Sequence, residues 1–240
     1  QKRNALTFDL IDDLRAIFNK IKDDTSIRGV VFRGKNEVFC SGADLKFMRK
    51  IISEDASSQK DSIKLSKGLG RVFKMITELP QITISAVEGP AMAGAFGIVC
   101  SSDLVLSMSD ARFAMTETRL GLSPAQIAPY VIDRLGFSNA RKLILLGFSI
   151  DGNQAYEIGL ADYLSKTKEE FNETLISIKR QVNQCAPRAL TLTKNIIRPR
   201  NEIDVDLSAK IFADCIESEE GKEGIKSFFE KKKPYWAVRS

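Results

Sequence analysis

The chain contains no histidine. That absence removes the imidazole on which Ser-His-Asp and Cys-His nucleophiles depend, and with it any histidine metal cluster. Proton transfer near neutral pH must then fall to carboxylates, Lys, Tyr, Cys or bound water. Cysteine is sparse as well. Cys40, Cys100, Cys185 and Cys215 lie far apart with no CxxC pair, so neither a zinc site nor a disulfide framework is suggested, and a reducing compartment is expected. Long apolar runs are also missing. The longest, Ile82 to Val87 and Ala91 to Cys100, are too short to span a bilayer, and no signal peptide precedes them. The expected location is cytoplasmic, or the mitochondrial matrix if a targeting segment precedes Gln1.

What is present suits a globular protein. At 240 residues the length fits one large domain or a domain with a smaller appendage. The formal net charge of +5 is a mild excess, with charged residues making up 28% of the chain, and it is spread along the sequence. It would attract an anionic ligand as readily as nucleic acid. Nucleic acid is disfavoured because no arginine-rich cluster interleaved with aromatics occurs.

Thr7 to Lys22 carries Phe8, Ile11, Leu14, Phe18 and Ile21 at spacings of three and four, one face of a helix. Gly29 to Arg33 reads as a buried strand. Ser53 to Lys67 is rich in Ser, Asp and Lys and reads as a flexible passage suited to a ligand-gating loop. A helical pattern then runs to Glu78 and stops ahead of Pro80. Ile82 to Val87 and Asp103 to Ser107 are β-rich, and between them Glu88 to Cys100 leads from small residues into a helix-length apolar stretch. Strand, glycine turn, helix and strand again signify a parallel α/β arrangement. From Pro124 onward the patterns are mostly helical, giving an α/β core over 1–190 and a helical region over 191–240.

Three segments can carry chemistry. In Phe39-Cys40-Ser41-Gly42-Ala43-Asp44-Leu45 the glycine lets the backbone approach a ligand and leaves the Ala43 amide free to donate. In the second, Gly94 opens an apolar helix, and amides at a helix N-terminus lack acceptors and face the positive end of the dipole. Two such amides converging on one carbonyl oxygen would stabilise an enolate or a tetrahedral anion. Taken alone, each glycine turn is as readily a simple connection. The third is Phe113 to Gly121, where partial burial of Glu117 between apolar residues would raise its pKa and make it an acid or base; an isolated loop glutamate is otherwise solvated. Arg119 is either its ion-pair partner or a ligand for an anionic substrate.

Together these residues resemble the crotonase, or enoyl-CoA hydratase/isomerase, superfamily. The resemblance runs through QKRNAL at 1–6, FCSGADL at 39–45, GPAMAGAFGIVCSSD at 89–103, FAMTETRLGL at 113–122, GFSNARKLILLG at 136–147 and FFEKKKPYW at 228–236. It implies an α/β fold, a crotonase-like spiral of ββα turns with a helical C-terminal trimerisation region, assembled as a homotrimer or a dimer of trimers. Acyl-CoA would be the substrate, with no separate cofactor and no metal. The resemblance assigns the Ala43 and Gly94 amides to an oxyanion hole and Glu117 to acid–base catalysis. It places Lys2, Ala5, Asp44 and Leu45 beside the CoA, and Phe228 and Lys231 on the CoA of a neighbouring subunit. Lys2 and Lys231 read equally well as solvated lysines.

The sequence departs from the two-glutamate hydratases at Gly97, where those members carry a second Glu. A single carboxylate fits hydration of a 2-enoyl-CoA, with Glu117 holding the water and supplying the proton. It also fits isomerisation of a 3-enoyl-CoA, and a crotonase homologue that only binds acyl-CoA or RNA is the third reading. The stretch from Thr116 to Pro129 is similar to hydratases of branched glutaconyl-CoA thioesters, which favours hydration. Arg119 and Gln126 are the sequence neighbours suited to pair a glutaconyl carboxylate.

Overall fold

A computed structural model describes residues 3–44, 49, 58–198 and 204–237 of the chain. Its first element, α1 (Phe8–Ile21), begins where Thr7 caps the Leu10 amide with its side chain, and it buries Ile11 and Phe18. Strand β1 (Gly29–Arg33) follows, then α2 (Ser58–Glu78), β2 (Ile82–Val87), the two-residue β3 (Ala91–Met92), α3 (Gly94–Ser101), β4 (Leu104–Met108) and β5 (Arg112–Ala114). Beyond them come a 3₁₀ turn (Glu117–Leu120), α4 (Ala128–Leu146), β6 (Ser149–Asp151), α5 (Gly152–Glu157), β7 (Tyr163–Ser165) and α6 (Lys168–Gln184). The chain continues through α7 (Pro187–Ile196), α8 (Val205–Glu217), α9 (Glu219–Phe229) and a 3₁₀ turn at Tyr235–Ala237. Residue 190, where the sequence reading ends the core, lies inside α7.

The four strands β1-β2-β4-β7 form a parallel sheet, with Val31 opposite Ile84 and Ser85 opposite Val105. Side chains alternate across it. Ile84, Ala86 and Leu106 pack on Phe171, Leu175 and Ile178 of α6, while Val87 and Val105 face the larger core that holds α1, α2 and α3. A smaller sheet, β3-β5-β6, stands beside it, with β3 and β5 parallel and β6 antiparallel to β5. Strands of three residues give no periodic signal, which is why β5 and β6 here, and β7 in the larger sheet, are invisible in the sequence pattern.

The passage expected to be flexible needs correction. Residues 53–57 lie outside the described structure, but from Ser58 onward the chain is helical. Leu65, Leu69, Val72, Phe73 and Ile76 form one apolar stripe, and the polar first turns extend it, because propagating a helix costs less than nucleating one. The helical pattern expected from Pro124 onward begins as α4, interrupted at Gly136, whose φ of 69° breaks the helical path. Among the described residues no helix is long and apolar enough to cross a membrane.

Candidate active site

Four short contacts draw the three chemical segments together. The Leu6 amide donates to Gly42 O at 2.8 Å, forming a parallel bridge between Leu6 and Ala43. In such a bridge the Leu6 groups face the partner strand and the Ala43 N–H points away from it. Cys40 bridges Ala91 through Cys40 N–H to Pro90 O and Met92 N–H to Cys40 O, both at 3.0 Å. The first loop is thereby laid against the second. Finally, the Ala93 amide donates to Ala114 O at 2.8 Å, placing the start of α3 three residues from Glu117.

Close packing fixes how the donors point. Gly42 has φ +86°, and a Cβ there would sit 2.9 Å from Met92 O and 3.1 Å from the Ala93 methyl, so only glycine fits this approach. Ala93, the residue before α3, adopts φ 51° and ψ −119°, a conformation L residues rarely take. It turns the chain so that Gly94 opens α3 with an N–H that has no intrahelical acceptor. A Cβ on Gly94 would meet Leu6 Cδ1 at 2.7 Å. The Ala43 and Gly94 amides therefore sit on two loops clamped by one residue, Leu6.

Glu117 lies in the 3₁₀ turn after β5. Its neighbours turn toward the end of α4: Thr118 Oγ1 donates to Ile144 O at 3.4 Å, and Arg119 Nε donates to Leu146 O at 3.0 Å. Glu117 is half-buried, and its Oε2 is buried without a hydrogen-bond partner in the protein. Burial pushes its carboxyl above the ordinary carboxylate value, opposed only by its own backbone N–H. Such a group is poised for proton transfer. Other ionisable groups nearby are silent. Arg33 grips Glu88 through 2.6 and 2.8 Å bonds and holds its carboxyl below the usual range. Burial pushes the Cys40 thiol up to about 11, so it stays protonated.

The remaining expected residues are placed unevenly. Ala5 is buried beside Leu6, and Asp44 is half-buried after Ala43. Lys2 and Leu45 lie outside the described residues. Arg119 is exposed and, among the described residues, makes no ion pair with Glu117, so the expected pairing is replaced by its bond to Leu146 O. Gln126 turns inward, its Nε2 donating to Ser66 Oγ at 3.3 Å and its amide covering Gly70. Phe228 is 79% exposed at the end of α9, stacked edge-on with Phe229, and Lys231 follows at φ 53°.

Gly97 holds the finding that sequence reasoning misses. A Cβ there would lie 2.5, 2.8 and 2.9 Å from three ring atoms of Phe73. The volume a side chain at 97 would use is filled by a phenyl ring on α2. The four-residue step from Leu69 to Phe73 marks a buried helix face, but nothing in it says that this face meets Gly97.

The sequence matches the Enoyl-CoA hydratase/isomerase family over residues 1–239. The chain belongs to that family. It is 29% identical over 236 residues to the short-chain-enoyl-CoA hydratase of Clostridium acetobutylicum, covering 96% of this chain and 88% of that one. It is 27% identical to the mitochondrial methylglutaconyl-CoA hydratase of Mus musculus, over 97% of this chain and 75% of the relative. A crystal structure of an enoyl-CoA hydratase/isomerase from Marinobacter aquaeolei superposes with a TM-score of 0.92 at 37% identity, over 98% of this chain and 92% of that chain. The mixed α/β architecture is thus that of the family, and its chemistry is hydratase-like.

Proposed function

We propose that the chain adds water across the C2–C3 double bond of a 2-enoyl-CoA, with Glu117 as the sole acid–base group. The observation that carries this is the buried, unpartnered Glu117 Oε2, on the segment that the Ala93 N–H ties to the start of α3 through Ala114 O. The thioester oxygen sits between the Ala43 and Gly94 amides. Ionised Glu117 takes a proton from water as the water oxygen bonds to C3, and the C2–C3 π electrons move onto the thioester oxygen, where the two N–H groups meet the charge. The carboxyl then returns that proton to C2 and the carbonyl reforms. No other group gains or loses a proton, so no cofactor is needed.

The acyl group is of the branched glutaconyl type, a reading supported by the Thr116–Pro129 stretch and by the likeness to a methylglutaconyl-CoA hydratase. Arg119 is the candidate partner for its carboxylate, because Gln126 donates to Ser66 Oγ and lines a separate cavity with Ser101 and Tyr130. Ala5, Asp44 and the residues at 2 and 45 flank the CoA. Phe228 and Lys231 serve a neighbouring subunit in a trimer, which the exposed apolar side chains of α8 and α9 favour. The setting is the cytoplasm or, as for the mouse relative, a mitochondrion. Isomerisation is the second reading, favoured by the phenyl ring at Gly97: one carboxylate suffices to move a proton from C2 to C4.

Glu117→Gln separates these roles from mere folding. Turnover of 3-methylglutaconyl-CoA should fall by roughly 10²–10⁴-fold while acyl-CoA binding persists. In the parent, kcat/KM falls on the acid side with a midpoint above the ordinary carboxylate value. Folded Glu117 has a raised pKa, so the unfolded chain ionises first and the fold loses stability as pH rises through that window. Thermal unfolding should then show the variant gaining on the parent between acidic and neutral pH. Wild-type turnover in Glu117→Gln would remove Glu117 from the mechanism.

A further inference from the structure

Helix α2 runs along α3 with a regular ridge. Leu69 lies against Gly94, where a Cβ would meet its methyls at 3.8 and 3.9 Å. Four residues on, Phe73 covers Gly97, and four further on, Thr77 stands with Ser101 in the lining of a separate cavity of about 830 Å³. Each step of four residues advances about 6 Å. The ridge thus leads from an oxyanion donor, past the phenyl ring, to open space at the other end of α3. Tyr130 completes the partition: its ring meets Phe73 edge-on at 5.7 Å, and it lines the same cavity. Phe73 has no surface open to solvent and fills the interior between Gly97 and Tyr130.

We infer that Phe73 is the residue that ends the acyl pocket and sets its length. This deepens the acyl-CoA reading above and rests on it. A short or branched acyl group bound with its carbonyl at Ala43 and Gly94 stops at Gly97. Longer chains are excluded by the ring, although space to receive them lies beyond it. The cavity is polar, carrying Gln126, Lys194 and Arg198, and the buried Nε of Arg198 has no partner. Lys194 is already held by Asp103 at 2.6 Å and by Gln81 O at 3.0 Å, which leaves the Arg198 Nε to be met, so with the ring removed the acyl groups admitted best are long ones with a polar end.

The test is binding of unreactive saturated thioesters, butyryl-, octanoyl- and 8-carboxyoctanoyl-CoA, measured by calorimetry alongside turnover of the matching 2-enoyl esters. The parent should prefer butyryl-CoA. Phe73→Ala should improve octanoyl-CoA binding relative to butyryl-CoA by roughly tenfold, the worth of about two of the four added methylenes entering the space the ring vacates. The carboxylated ester should gain more. Adding Thr77→Trp to Phe73→Ala should refill the passage and restore the parent preference, an effect that simple loosening of the core does not produce. Phe73→Leu, which keeps most of the packing, should move the preference part-way if the alanine variant does not fold. An unchanged length preference in folded Phe73 variants, with the parent binding butyryl-CoA, overturns the plug alone. A parent that binds none of the three esters overturns the acyl-CoA reading together with it.

Discussion

Helices α3 and α8 are both rich in apolar side chains, yet every residue of α3 is buried and none of α8 is. In α3 the sequence GAFGIVCS meets β3, α2 and α4 with small residues where partners come close and Phe96 where space must be filled. In α8 the apolar residues Val205, Leu207, Phe212 and Ile216 stand 83%, 44%, 68% and 41% exposed. Burial of α3 is completed within the chain and fixes the position of the Gly94 donor. Among the described residues nothing covers the apolar face of α8 to that extent, and a second copy would supply such cover. The proposed donor and the proposed trimer contact therefore lie on different helices.

The contrast can be broken from the buried end first. Phe96 is fully buried and meets Phe113 edge-on at 6.3 Å. Phe96→Ala should cost about 3–5 kcal/mol in urea unfolding, and a loss comparable to a surface substitution would show that α3 does not anchor the site. A smaller and opposite effect is expected at the mouth of the same helix. Ala93 holds φ 51° without being glycine, so Ala93→Gly should relieve strain and stabilise by about 1 kcal/mol net of glycine's entropy. That corresponds to a rise in Tm of roughly 2–4 °C for a chain of this size; a fall would mean the Ala93 methyl packs more than it strains. The smallest change in the chain's own stability belongs to α8. Phe212→Ser should alter it by less than about 0.5 kcal/mol, as at an ordinary surface site. Its sedimentation coefficient should instead drop from that of a trimer to that of a monomer. A monomeric parent would sink the trimer, and a trimeric variant would sink α8 as its seam.

The same contrast governs how much could be read from the residues. Strands β1 and β2 begin and end where the sequence places them, because six- and five-residue β-rich runs bounded by turns are unambiguous. The Ala43 and Gly94 amides were legible as candidates from their glycine turns, and Glu117 as a carboxylate among apolar neighbours. Of the two readings of Arg119, the ion pair with Glu117 is not formed among the described residues: proximity of two residues in sequence says little inside a 3₁₀ turn, where successive side chains point about 120° apart. Phe73 was missed for a different reason. A vacancy at Gly97 is visible in one dimension, but the ring that occupies it comes from 24 residues upstream and only a folded helix pair brings it there.

Leu6 touches both halves of the proposed oxyanion hole, donating to Gly42 and pressing its side chain against Gly94. The residue that sets the gap between the two amides thus lies almost ninety positions ahead of the one on α3. Contacts of that span form late, after the entropy of closing a long loop has been met. The main sheet can therefore form while the gap between the two amides is still unset, and competence is gained as a final latch when Leu6 docks on both loops.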